Sequence, residues 1–513
     1  MARVRTNSGW IEGESRAEHL VFRGIPFAKP PTGKLRFRAP EPVEPWTGVR
    51  EARQFGPSSL QPEPARGVTS PPRPFDEDCL YLNVYTPAID SARRPVFFWI
   101  HGGAFAIGAG GEALYDGGRL AERGDVVVVT INYRLGALGF SHWSPEQRAR
   151  LGVTSNAGCL DQIAALRWVR DNILAFGGDP DSVTIAGESA GAYSVAMLLG
   201  MPAARGSFHR AIAQSGARLT RGSGDPSRHT QELLRVLEIT EPRIDALWKL
   251  PAHSFLAAQQ RVAAGETGPA VSVPFAPVFD GDTLPLPLDQ AMARGAWAGV
   301  PLLIGTNRDE INLFLGPALK RLDEPLADAE LMRQLRDLVL GASDDQLRAL
   351  LEVYRHSRKA RQLPHGERAL LAAISGDALW RIASGRFAEA CRRSQPQVFE
   401  YLFTYESPAM RGALRSCHAL ELPFVFGTLD APGQAQFAGA GEAVQRLSER
   451  MMASWLAFTR SGDPSVPGPN QAWPAYEPER RPTMVFDLET GRQDAPYEEE
   501  RAAWDALSPR PLH

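Results

Sequence analysis

Ser189 stands in the pentad "GESAG", residues 187–191, with one apolar run before it and another after it. A serine hydroxyl turns nucleophilic only when a base takes its proton and donors hold the oxyanion that its attack creates. The runs "SVTIAG" and "AYSVAMLLG" predict a strand, a tight turn and a helix, with Ser189 at the turn. Such a turn strains the serine backbone, demands small neighbours, and aims the unpaired first N–H groups of the helix at the hydroxyl. The Ala190 N–H is therefore a candidate oxyanion donor. With 47 glycines in the chain the pentad alone is weak evidence, and a second motif strengthens it. "HGGAF", residues 101–105, follows the strand-like "VFFWI" and offers the Gly102 and Gly103 N–H groups where no Cβ blocks a substrate oxygen. His101 precedes those donors and is expected to fix the loop by hydrogen bonding.

In folds that present a serine this way, the acid and then the histidine follow it along the chain. Past the plausible acid strand, His356, His365, His418 and His513 remain. His356 sits in a charged helical run, His365 in a polar break and His513 at the terminus. His418, in "SCHALELPFVFG", enters an apolar segment after a strand and is the candidate base. A neutral imidazole is needed to accept the proton, so activity is expected to fall on acidification around pH 6 to 7, roughly the ordinary histidine range. The orienting carboxylate belongs just beyond a strand, and "VPLLIGTNRDE" offers both Asp309 and Glu310. Asp280 in "PVFDGDTLP" and Asp377 in "SGDALW" are rivals, the latter in a helical setting that suits a structural role. Periodicity does not choose between Asp309 and Glu310. Phe105, Phe314 and Phe424 adjoin these motifs and are candidates for an apolar substrate pocket as well as for ordinary packing.

The elements that must position these groups alternate. Short continuous apolar runs at 96–103 and 125–134 suit strands buried on both faces. Residues 161–177 place Ile163, Leu166, Val169, Ile173 and Leu174 at helical spacing and end in glycines. "HRAIAQSG", "VPLLIG", "QVFEYLFTY" and "TMVFDL" supply later strands, and 442–460 a late amphipathic helix. Strands alternating with helices predict an α/β fold with a mostly parallel sheet. Two helix-rich stretches, about 227–264 and 323–393, are read as insertions into a single domain spanning 1–513. The five prolines of residues 61–75 predict an extended surface loop.

Composition narrows the function classes. With 56 basic and 59 acidic residues and a formal net charge of −3, the chain has no footprint for nucleic acid or an anionic membrane surface. No run of about 18 apolar residues suggests a membrane span, and the first residues lack the apolar core of a secretory signal. Cys79, Cys159, Cys391 and Cys417 are too few and too irregular for a disulfide framework or a zinc site, so they read as buried thiols in a reducing cytoplasm. The expected partner is a small-molecule substrate, with the chain a monomer or small homo-oligomer.

The ordered motifs "FRGIPFAKPP", "EDCLYLNVYTP", "WIHGGAF", "INYRLGALGF", "FGGDPDSVTIAGESAGA", "IGTNRDE", "CHALELPFVFG" and "WLAFTRSGDP" run through nearly the whole length. Together they resemble the type-B carboxylesterase family of the α/β-hydrolase superfamily, similar to bacterial para-nitrobenzyl esterases and more distantly to cholinesterases and neuroligins. The resemblance implies an α/β-hydrolase fold and a serine esterase working through an acyl-enzyme, with no metal or organic cofactor. It implies Ser189 as nucleophile, Glu310 in preference to Asp309 as acid, His418 as base, and Gly102, Gly103 and Ala190 as oxyanion donors. It also implies two buried structural pairs, Arg23 with Glu77 and Arg134 with Asp161. The sequence departs from secreted members in leaving Cys79 without an evident partner, and its 61–78 loop has no tryptophan to bind choline by cation–π contact. The alternatives are an amide, carbamate or thioester hydrolase using the same triad, and a neuroligin-like binding protein without catalysis.

Overall fold

Residues 96–100 carry a large apolar side chain at every position, which a strand can bury only when both of its faces are covered. The computed structural model, which describes residues 1–63, 71–217, 227–265, 273–467 and 472–507, provides both covers. Val96, Phe98 and Ile100 enter one core, while Phe97 and Trp99 enter a second on the opposite face.

The strands in chain order are β1 (Ala2–Thr6), β2 (Gly9–Ser15), β3 (Leu20–Pro26), β4 (Val49–Glu51), β5 (Ser58–Ser59), β6 (Phe75–Asp76), β7 (Tyr81–Thr86) and β8 (Arg94–Ile100). They continue with β9 (Val127–Ile131), β10 (Gly178–Glu188), β11 (Arg210–Gln214), β12 (Leu302–Asn307), β13 (Val398–Phe403), β14 (Pro482–Phe486) and β15 (Gly491–Asp494). One sheet runs in the order β1-β2-β3-β7-β9-β8-β10-β11-β12-β13-β14-β15, with β4 beside β2. From β9 through β14 every pairing is parallel. The flanks, β1 to β9 along that path and β14 with β15, pair antiparallel. The mostly parallel sheet is the one expected from the alternating elements, and the arrangement is that of the α/β-hydrolase fold implied by the resemblance.

Helices close both faces. Ala157–Asn172, Ala190–Gly200 and Ile382–Arg392 send Leu166, Val195 and Phe387 into the first core. Gly118–Gly124, Leu422–Phe426 and Glu442–Ser461 send Leu120, Phe426 and Trp455 into the second. Helices also fill the two helix-rich stretches, with Ser227–Val236 and Ala252–Ala264 in one and Asp328–Leu338, Asp344–Ala360 and Glu367–Gly376 opening the other. The helix expected from residue 161 begins at Ala157 and tightens at Ile173–Phe176 into a 3₁₀ turn. That change of period turns Leu174 out to 50% exposure, against its expected place on the apolar face.

Two further expectations are corrected or extended. Arg134 does pair with Asp161, Nη2 to Oδ1 at 2.6 Å, but Glu77 is held by Arg36 and not by Arg23. Arg23 on β3 faces Glu14 on the neighbouring strand at 2.9 Å, whereas Arg36 leaves a 3₁₀ turn and reaches inward to Glu77 and to the Leu247 and Leu250 carbonyls. All four cysteines are buried free thiols. Of the loop expected at 61–75, residues 64–70 lie outside the described residues, as does His513. No helix among the described residues is long and apolar enough to cross a membrane.

Candidate active site

The 101–103 loop, Ser189 and Glu310 lie just beyond the carboxyl ends of the parallel strands β8, β10 and β12. Gly187 on β10 is in register with Ile100 on β8, so residues 101–103 and Ser189 leave the sheet side by side. Ser189 has φ 54° and ψ −121°, a strained conformation for a residue with a side chain, and caps the helix Ala190–Gly200. Its N–H donates to the Gln214 carbonyl at 2.8 Å, which ties the turn to the end of β11. A Cβ on Gly191 would lie 2.0 Å from the Ile100 carbonyl oxygen, so the helix can start against β8 only with glycine there. A Cβ on Gly102 would lie 3.1 Å from the Ser189 Cβ, which measures how closely this loop borders the serine. Gly103 turns with φ 101°, and its carbonyl accepts the Ala106 and Ile107 N–H groups.

His101 is committed to its own loop. Its ring is buried, stacked on Tyr133 at 4.5 Å, and its Nδ1 donates to the Gly102 carbonyl at 2.8 Å. Burial pushes its imidazole down to about 4, despite that backbone partner, so it is neutral at pH 7 and braces the loop.

His418 and Glu310 meet from opposite sides. His418 Nδ1 donates to Glu310 Oε2 at 2.6 Å, while Glu310 Oε1 accepts the Asn307 N–H at 2.7 Å. Their loops are laced together, with Asn307 Nδ2 donating to the Cys417 carbonyl at 2.7 Å and the Asp309 N–H to the Ser416 carbonyl at 2.8 Å. The other face of the imidazole was not anticipated. Its Nε2 lies 2.9 Å from Glu188 Oε1, out of hydrogen-bonding alignment, and among the described residues neither atom has a hydrogen-bond partner. Burial opposes a charge on His418, but Glu188 and Glu310 outweigh it and push the imidazole well above its ordinary range. Burial also raises Glu188, with His418 opposing and Glu310 adding to the rise. Behind them, Glu421 receives Gln214 Nε2 at 3.0 Å and Asn307 Nδ2 at 2.7 Å. Burial together with Glu188 and Glu310 pushes it up to about 8, so it is mostly protonated at neutral pH.

The rival acids are committed elsewhere. Asp309 binds Arg308 at 2.8 Å and faces Arg358 at 3.7 Å; against the effect of burial, these cations hold it below the usual carboxylate range. Asp280 closes its own turn by accepting from Thr283 and the Leu284 N–H, and Asp377 is engaged by Tyr354 and Arg381. His356 is exposed, and His365 donates to the Leu363 carbonyl.

Of the three phenylalanines, only Phe314 reaches the site, with its ring 5.1 Å from His418 and 37% exposed. Phe105 packs edge-on against Phe140, and Phe424 is fully buried between Phe403 and Tyr405, so both serve the core. A residue absent from the sequence reading lies beside it: Trp380, buried at 5% exposure, stacks on Phe314 at 5.6 Å and 6° and lies 5.1 Å from His418. It stands 66 positions from Phe314 in a helix-rich stretch, and nothing local marks it. Glu188 did carry a signal, as a charged residue closing the buried end, residues 183–188, of its strand. No cluster of metal-ligating side chains occurs among the described residues.

The carboxylesterase family model matches residues 1–504. The para-nitrobenzyl esterase of Bacillus subtilis (strain 168) is 40% identical over 502 residues, covering 97% of each chain. The phenmedipham hydrolase of Pseudarthrobacter oxydans is 34% identical over 539 residues, covering 99% of each. A solved para-nitrobenzyl esterase structure superposes with a TM-score of 0.85 at 38% identity, covering 99% of both chains. The chain belongs to the carboxylesterase family and is a carboxylic ester hydrolase with the α/β-hydrolase fold.

Proposed function

We propose that this enzyme hydrolyses carboxylic esters through an acyl-enzyme formed on Ser189, with His418 as general base and Glu310 as the orienting acid. The observation that carries the reading is the 2.6 Å Glu310–His418 bond, which fixes the imidazole with its Nε2 2.9 Å from Glu188, the residue directly before Ser189. Ser189 Oγ attacks the ester carbonyl carbon as His418 Nε2 takes its proton. The carbonyl oxygen becomes an oxyanion held by the Gly102, Gly103 and Ala190 N–H groups. As the tetrahedral intermediate collapses, the C–O bond to the alcohol breaks and His418 returns the proton to the departing oxygen. Water, deprotonated by the same histidine, then attacks the acyl-enzyme and releases the acid and the free serine. Glu310 stabilises the imidazolium in both halves, and no step calls for a cofactor.

The Phe314–Trp380 wall suits a substrate with a planar apolar group beside the scissile bond. The four buried free thiols suit a reducing compartment such as the cytoplasm. The test is Ser189→Ala together with an organophosphonate ester. Wild type should be labelled once, at Ser189, and the variant should retain less than about 1% of turnover with an unchanged melting curve, since losing the nucleophile costs orders of magnitude. Labelling at another residue, or a variant with substantial activity, refutes the assignment.

A further inference from the structure

Residues Asp377–Arg381 form one turn of π-helix between the α-helices Glu367–Gly376 and Ile382–Arg392. Such a turn carries an extra residue and costs hydrogen-bond geometry, so it persists where its surroundings hold it. This one carries Trp380 on the side of His418 and Phe314. It also carries Asp377 and Arg381, whose side chains enter a buried polar network that leads away from the site. Arg381 Nε donates to Asp377 Oδ1 at 2.8 Å, and its Nη2 to Glu500 Oε2 at 2.6 Å. Tyr354 donates its hydroxyl to Asp377 and accepts from Trp504 Nε1 at 2.7 Å. Ser357 Oγ donates to Glu500 Oε1 at 2.6 Å.

Glu500 and Trp504 lie one turn apart on the C-terminal helix Glu498–Leu507, about 80 residues beyond His418 in sequence. Tyr354, Ser357, Asp377, Glu500 and Trp504 are all at most 5% exposed. A buried ion pair adds little net stability compared with apolar packing, but its directional bonds define a single geometry for the groups that make it. What this network fixes is the turn that carries Trp380.

We propose that Glu500, acting through Arg381 and the π-turn, is a positioning residue that holds Trp380 against Phe314 and thereby sets the preference of the site for esters with a planar aromatic group. This rests on reading Ser189 and His418 as the reaction centre. Without Glu500 the guanidinium loses its outer anchor, the turn gains alternatives, and the flat wall loosens while Ser189, His418 and Glu310 keep their own bonds.

The experiment compares kcat/KM for phenyl acetate and ethyl acetate, with enzyme counted by phosphonate titration at Ser189. Trp380→Ala should lower the aromatic-to-aliphatic ratio by about tenfold, the scale of a lost aromatic contact. Glu500→Gln should lower it by about threefold or more in the wild-type background and leave it unchanged in Trp380→Ala. Tyr354→Phe and Ser357→Ala, which remove one bond each without removing a charge, provide the same comparison should Glu500→Gln fold poorly. A ratio unmoved by Trp380→Ala, or by all three anchor variants, overturns the proposal. So does an equal effect of Glu500→Gln with and without Trp380. Failure of the reaction-centre reading is separable, because phosphonate would then label a residue other than Ser189.

Discussion

Two carboxylates compete for one imidazole at this site, and their roles separate by atom. Glu310 holds Nδ1, whereas Glu188 faces Nε2, the atom that exchanges a proton with serine and leaving group in the proposed mechanism. Glu310→Gln should lower kcat by about 10⁴ with little change in KM, the scale seen when a triad acid becomes an amide. Asp309→Asn should stay within about tenfold of wild type, because its carboxylate serves Arg308 and Arg358. Steady-state kinetics of the pair decides, and exchanged behaviours would make Asp309 the acid. Glu188 also revises the pH expectation drawn from an ordinary histidine. Negative neighbours outweigh burial and favour the charged imidazole, so the pH below which activity is lost should lie above that of an ordinary histidine in wild type. Glu188→Gln removes one of those charges and should move the acid limb of kcat/KM to lower pH. An unmoved or raised limb would show that Glu188 does not act on the base.

The elbow between β10 and the helix Ala190–Gly200 works because backbone touches backbone. Helix, β8 and β11 converge on Ser189 so closely that side chains are excluded at Gly191 and at Gly216, where a Cβ would lie 2.2 Å from the Ser189 carbonyl oxygen. Neither obstacle is a flexible side chain that could rotate aside. Gly191→Ala must therefore push the helix from the sheet or distort the strained serine, and its Tm should fall by roughly 3 °C or more for a chain of this length. Activity should fall further than stability, since the Ala190 N–H moves with the helix. A variant that melts and turns over like wild type would show that the elbow has slack.

Across the molecule, burial has raised several carboxyl groups at once, and this gives the whole fold a pH dependence. Glu400 on β13 faces a narrow cleft lined by Glu389, Arg481 and the C-terminal helix residues Glu498 and Arg501. Desolvation and the neighbouring Glu389, opposed by arginines, push it up from 4.5 to about 7. The folded state thus holds a proton that the unfolded chain has already released between those two values. Stability from this group is complete below about 4.5 and is lost as pH rises through about 7. Glu421, raised by burial and by Glu188 and Glu310 to about 8, acts in the same direction. The wild-type Tm should therefore decline between pH 5 and 8, and Glu400→Gln should remove roughly 1–3 °C of that decline in calorimetric scans. A Tm that rises over this window, or a variant with an unchanged slope, would contradict the assignment.

Local pattern by itself determined the strands, the elbow, the donor loop and the candidate base, because each is written within about ten residues: an apolar run, small residues at fixed offsets, a histidine at the mouth of an apolar segment. Both-face burial was legible in "VFFWI" for the same reason, since no polar position interrupts the run. The preference for Glu310 over Asp309 was not legible in spacing and rested on family resemblance; what the fold adds is that Glu310 faces His418 while Asp309 faces Arg308 and Arg358. The antiparallel N-terminal strands, the Arg36–Glu77 pair, the burial of Phe105 and Phe424, and the arrival of Trp380 beside His418 were likewise settled only by tertiary structure. Each depends on what packs across from a residue about twenty or more positions away, or on strand register, and neither leaves a periodic trace in the chain. Charge behaves the same way: the sequence shows which carboxylates exist, but their proton affinities follow from desolvation and from neighbours that only the folded chain assembles.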